Sequence, residues 1–169
     1  MFSFLFPRLT EQPAGAALFD SLTAEARQVG WYVEGEVPDT IDGRFRVLAT
    51  LTALAIVRLE AGGEEGLAAS IALTERFIEV MESEHRELGL GDPTLGRKVQ
   101  KLVGSLAGRV ELWRAATGGG RDWTAAAQRS LYKEGVEASA LGHSGSALAD
   151  FWAALQAADV GSIVAGQIR

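Results

Sequence analysis

The run VLATLTALAIV, Val47 to Val57, carries no charge over eleven residues and is bracketed by Arg46 and Arg58. As a helix, eleven residues span about 16 Å, roughly half the hydrocarbon core of a bilayer. The run is therefore too short to cross a membrane, and it is apolar around most of its circumference. Such a helix must be covered by other elements on several sides. The chain can supply them: 47% of its 169 residues are hydrophobic, enough for one domain with a sizeable core. The constraint points to an all-α bundle, and the remaining periodicity supplies about six helices.

The domain is expected over residues 14–158, between an N-terminal apolar segment, 1–13, and a frayed or shortly extended tail, 159–169. The first helix is expected from Ala14 to Val29, with Leu18, Leu22 and Val29 inward. Asp39 or Thr40 then caps the central helix, which runs to Leu59. The third helix, Glu65 to Leu88, shows the spacing Leu67, Ile71, Thr74, Ile78, Met81, His85, Leu88, a strong helical stripe. Gly89 and Gly91 end it. Asp92 is expected to cap a fourth helix from Pro93 to Ala116, with Leu95, Val99, Leu102, Leu106, Val110 and Trp113 inward. Asp122 caps a short helix to Tyr132. The stretch KEGVEASALGHSG reads as loose, before a last helix from Ser146 to Ala158. The opening MFSFLFPRL is broken by proline and lacks the charge of a secretory signal. It is expected to strap the domain, or to dip into a membrane surface.

Several chemistries are excluded. GLGDPTLGRK has the glycine gap of a phosphate loop at Gly91 and Gly96, but Arg97 and Lys98 replace its Lys-Ser/Thr pair and no strand precedes it. Without cysteine there is no disulfide, thiolate site or thiol nucleophile. Glu82-Ser-Glu-His85 has the spacing used by di-iron bundles, but those need the motif twice and His143 lacks the glutamate. No metal or other cofactor is expected, and His85 reads as a satisfied core histidine or a helix-end cap. Ser144 beside His143 sits in the loose stretch with no orienting carboxylate. A net charge of −6 argues against a broad grip on nucleic acid.

On the fourth helix, Arg97, Lys101, Gly104 and Gly108 lie opposite the inward stripe. Interior glycines cost roughly 1 kcal/mol each relative to alanine, so they need a reason. Either the face is a shallow docking surface, or another helix of the same chain fills it.

Two segments then stand out, VPDTIDGRF (Val37 to Phe45) and GLGDPTLGRKVQKLVGSLAGR (Gly89 to Arg109), with a weaker third, SLYKE (Ser130 to Glu134). On these the chain resembles the ubiquinol–cytochrome c chaperone family over about Ala14 to Tyr132. It departs from that pattern at Arg46, where an acidic residue is expected, and at Ser130, where asparagine is expected. The region after Lys133 reads as particular to this sequence. The resemblance implies a non-enzymatic chaperone that shelters newly made cytochrome b until haem insertion and complex assembly proceed. Relatives work with a partner subunit and near the ribosomal exit, so the ribosome and the membrane surface are further candidate contacts. With no presequence, a bacterial form acting in the cytoplasm at the inner membrane is implied. The expected partner-binding residues are Pro38, Asp39, Thr40, Asp42, Gly43, Arg44 and Phe45, with Arg97, Lys98, Lys101, Gly104 and Gly108. Capping explains Pro38 to Asp42, while Gly43 is expected to leave a gap beside Arg44 and Phe45. The alternatives are a helical ligand- or metal-dependent enzyme and a soluble structural adaptor.

Overall fold

In the computed structural model, residues 12–89 and 91–169 are described; the opening MFSFLFPRL and its strap or membrane roles lie outside them. These residues form seven α-helices: α1 (Ala16–Ala26), α2 (Ile41–Glu60), α3 (Gly63–Glu87), α4 (Asp92–Thr117), α5 (Trp123–Leu131), α6 (Ala138–Ala157) and α7 (Val160–Val164). A single 3-10 turn, Val29–Trp31, follows α1. Among the described residues there is no strand, as the periodicity requires.

Helix α2 is the hub, packed by α1, α3, α4, α5 and α6. Its residues from Val47 to Leu59 are buried except Leu48 and Arg58, at the edges of the bundle. Arg58 turns its guanidinium onto the carbonyls of Leu155 and Ala158, closing the end of α6. Thr40 is the N-cap, its Oγ1 accepting from the Gly43 amide at 3.1 Å. Replacing it with alanine should cost about 1 kcal/mol, a small shift in a urea unfolding curve; Asp39→Ala, off the cap, should cost less.

Four expectations are corrected. First, α3 is rotated from the stripe anticipated: Gly66, Ser70, Leu73, Phe77, Met81 and His85 are buried, while Leu67, Ile71 and Leu88 are exposed. Both stripes have helical spacing, and the one carrying Phe77 wins because its ring seats between Phe19 and Phe45, 6.4 and 6.0 Å away. Second, α1 stops at Ala26, and Val29 points outward from the turn. Third, Gly91 rather than Asp92 takes the α4 cap, in extended geometry that leaves Asp92 in the first turn. Gly89, at φ +80°, ends α3 in the left-handed region glycine tolerates. Fourth, the stretch read as loose is helical from Ala138 onward, so His143 and Ser144 sit on α6. The end of the chain is packed as well: α7 is capped by Asp159, and Ile163 and Ile168 are buried.

Candidate functional site

The three segments singled out in the sequence meet in space. Phe45 begins α2, Arg109 lies on α4, and Ser130 ends α5. The Arg109 guanidinium sits 6.0 Å from the Phe45 ring centroid and donates through Nη2 to the Ser130 carbonyl at 2.7 Å. Ser105 also accepts from it. Arg109 is buried without a carboxylate against it, and its Nε has no partner among the described residues. Burial, and then the nearby Arg46 charge, lower its pKa to about 10, against the pull of Asp42.

Around this node the polar groups are satisfied in order. Thr50 Oγ1 donates to the Arg46 carbonyl at 2.7 Å, so the Ser130 hydroxyl donates to Thr50 at 2.6 Å. Ser130 Oγ in turn accepts from Trp113 Nε1 at 3.0 Å. Three helices are thereby pinned at one buried point. Ser130 joins this chain of hydroxyls, and Arg46 bonds Asp42 at 2.9 Å. Lys133 reaches the same carboxylate at 3.2 Å. Burial raises the Asp42 pKa, but the Arg46 and Lys133 bonds outweigh it and hold the carboxyl below its usual range.

Gly43 leaves no gap. A Cβ there would overlap the Pro38 carbonyl oxygen, so the glycine instead lets the Pro38 turn close onto the first turn of α2. That fold-back presents Asp39, Ile41, Arg44 and Phe45 on one side. Arg44 Nε bonds Asp39 at 2.6 Å, which lowers the Asp39 pKa and raises that of Arg44.

These residues form one wall of a groove of about 730 Å³. The end of α1 and the turn after it supply Ala26, Arg27, Val29, Tyr32 and Val33; α2 adds Leu48. The end of α3 brings Met81, Glu84 and His85, and α4 brings Lys98 and Leu102. Val29, Val33 and Ile41 are exposed at the rim, Ile41 to 76%. The turn is held rigidly: Trp31 Nε1 donates to the Glu25 carbonyl at 3.0 Å and Tyr32 to Ala26 at 2.6 Å. From the other side, Tyr132 donates to the Gly35 carbonyl at 2.5 Å and takes a 2.7 Å bond from Ser144, all buried.

The second expected surface lies next door. Arg97, Lys98 and Lys101 share a shallow depression with Thr94 on α4, and Lys98 belongs to both this and the groove. Beyond them, a Cβ at Gly104 or Gly108 would meet nothing within 4 Å. No helix of this chain fills that face among the described residues. Of the expected site residues, Asp39, Asp42, Arg44, Phe45 and Lys98 come together at the groove. Pro38, Thr40 and Gly43 shape it from behind, and Arg97, Lys101, Gly104 and Gly108 form the adjoining stripe. The sequence reading missed the groove roles of Val29 and Val33, in VGWYVEG, and the groove face of His85. Two valines spaced around a tyrosine in an irregular link were the available signal.

Among the described residues no three metal-ligating side chains gather, and no helix is long and apolar enough to cross a membrane. The described residues thus form a helical scaffold that carries an apolar-rimmed groove beside a basic helix face. The Ubiquinol-cytochrome C chaperone family matches residues 34–169, and the chain belongs to that family. The match runs well past Lys133, so the C-terminal region is part of the family domain rather than an addition particular to this sequence. A crystal structure of the Cbp3 homolog from Brucella abortus is similar, with a TM-score of 0.73 and 25% identity over 89% of this chain and 84% of that one. No functionally curated protein matches.

Proposed function

We propose that the protein is a non-enzymatic chaperone that holds newly made cytochrome b during assembly of the ubiquinol–cytochrome c reductase complex. Family membership supports the chaperone role in assembly of that complex. The observation that carries the client reading is the open stripe on α4. Gly104 and Gly108 are four apart on one face, with nothing against them among the described residues. Glycines so spaced let a second helix approach backbone to backbone, the packing that membrane-protein helices use among themselves. Arg97 and Lys101 on the same stripe orient a client by the charges flanking its apolar segments. Peripheral contact with the inner membrane and the ribosomal exit are further parts of this reading.

The test is a crosslinking pull-down from membranes with cytochrome b as the expected major product. Arg97→Glu with Lys101→Glu should leave stability nearly unchanged, since exposed charges are usually worth under ~1 kcal/mol, yet reduce capture strongly. Gly104→Leu should also block capture, by filling the stripe, while leaving the fold intact. Full capture by both folded variants would remove α4 from the client surface. Unfolding of Gly104→Leu would assign the glycines to internal packing instead.

A further inference from the structure

We propose that the groove binds an iron porphyrin, with His85 Nε2 as an axial ligand to the iron. This goes beyond the client reading and uses the groove rather than the α4 stripe. His85 is 9% exposed, and its Nδ1 lies 2.8 Å from the Met81 carbonyl oxygen. A carbonyl can only accept, so Nδ1 carries the proton and Nε2 is left with the free lone pair. Nε2 has no hydrogen-bond partner among the described residues. An imidazole held through one nitrogen by a backbone carbonyl is the arrangement that orients a metal-binding histidine.

A bare ion does not fit. Among the described residues no three ligating side chains gather there, and a smaller set is too few for zinc or a similar cation. One imidazole is sufficient when the macrocycle brings four nitrogens of its own, as in haem proteins held by a single histidine. The groove suits the rest of such a molecule. Its volume of about 730 Å³ falls within the 300–1,000 Å³ of small-molecule sites. Val29, Val33 and Phe45 offer apolar and aromatic walls to a flat ring. Arg27 and Lys98 stand at the edge, outside the ion pairs found among the described residues, as counter-charges for two propionates. An apolar peptide could use the same walls, but it would have no use for the histidine lone pair.

The test is a titration of ferric haem into the full chain, read by the Soret band and by tryptophan fluorescence. A single saturable site with a shifted Soret band is expected. His85→Ala should weaken it by about an order of magnitude or more and abolish the nitrogen-ligand signature, which added imidazole should restore. His143→Ala and the Arg97→Glu, Lys101→Glu variant should bind as wild type, whereas Arg27→Glu with Lys98→Glu should bind more weakly. Iron-free protoporphyrin should bind wild type and His85→Ala alike. Absence of saturation, or identical spectra for wild type and His85→Ala, would overturn the proposal. If His85→Ala fails to fold, resonance Raman of the wild-type complex reads the axial ligand directly, and the absence of an iron–histidine mode would overturn it equally.

Discussion

Phe77→Ala is expected to destabilise the protein by about 3–5 kcal/mol, the range for emptying a buried aromatic site. Phe77 is fully buried, set edge-on to Phe19 of α1 and tilted against Phe45 of α2, so its removal opens a void where three helices meet. Surrounding rings cannot collapse into that space without leaving their own rotamers. At about 2–4 °C per kcal/mol for a chain of this size, the melting temperature should fall by roughly 10 °C. Leu67→Ser and Ile71→Ser on the outer face should each stay within about 0.5 kcal/mol of wild type. Thermal melts of the three variants decide which stripe of α3 faces inward. Equal losses at Leu67 and Phe77 would show that the helix sits in a different rotation.

Gly43→Ala is expected to be nearly as damaging, although it adds only one methyl group. The new Cβ would run into the Pro38 carbonyl oxygen, a backbone atom that no rotamer change can move aside. Either the Pro38 turn lifts off α2 or the first turn of α2 unwinds, and forced shifts of this kind cost about 1–3 kcal/mol. Gly104→Ala is the matched control. Its Cβ meets open space among the described residues, so it should gain up to ~1 kcal/mol of helix propensity. Opposite signs in urea unfolding are expected. A neutral Gly43→Ala would mean that the turn is not locked.

Much of this was legible in the sequence because it depended on local rules. The apolar run at Val47 to Val57 could only be a central helix; Asp122 caps where expected, and of the two candidates Asp39 and Thr40 the structure selects Thr40. The stripe of α4 was read correctly because its apolar residues form one unbroken series. The stripe of α3 was read only in its second half, where Met81 and His85 are buried as expected; in the first half two series compete and only the tertiary partner selects between them. Glycines and small residues in KEGVEASALGHSG lowered its apparent helicity, whereas packing against α5 and the turn below it makes the helix pay. The groove was invisible for a different reason. Its residues come from five separate stretches, and only the segment from Asp39 to Phe45, with Lys98, carried a motif of its own. The glycines at 104 and 108 were undecided from the sequence, since an empty face and a filled one have the same spelling.

The tie between Tyr132, Ser144 and the Gly35 carbonyl joins the last third of the chain to the wall of a groove that it does not line. On the proposed binding role of the groove, its specificity can be retuned from behind. Grafting α5 and α6 from a relative should shift the turn bearing Val29 and Val33, and so change what the groove accepts, with every lining side chain left as it was. For anyone engineering the chain, the C-terminal third is a dial rather than a handle.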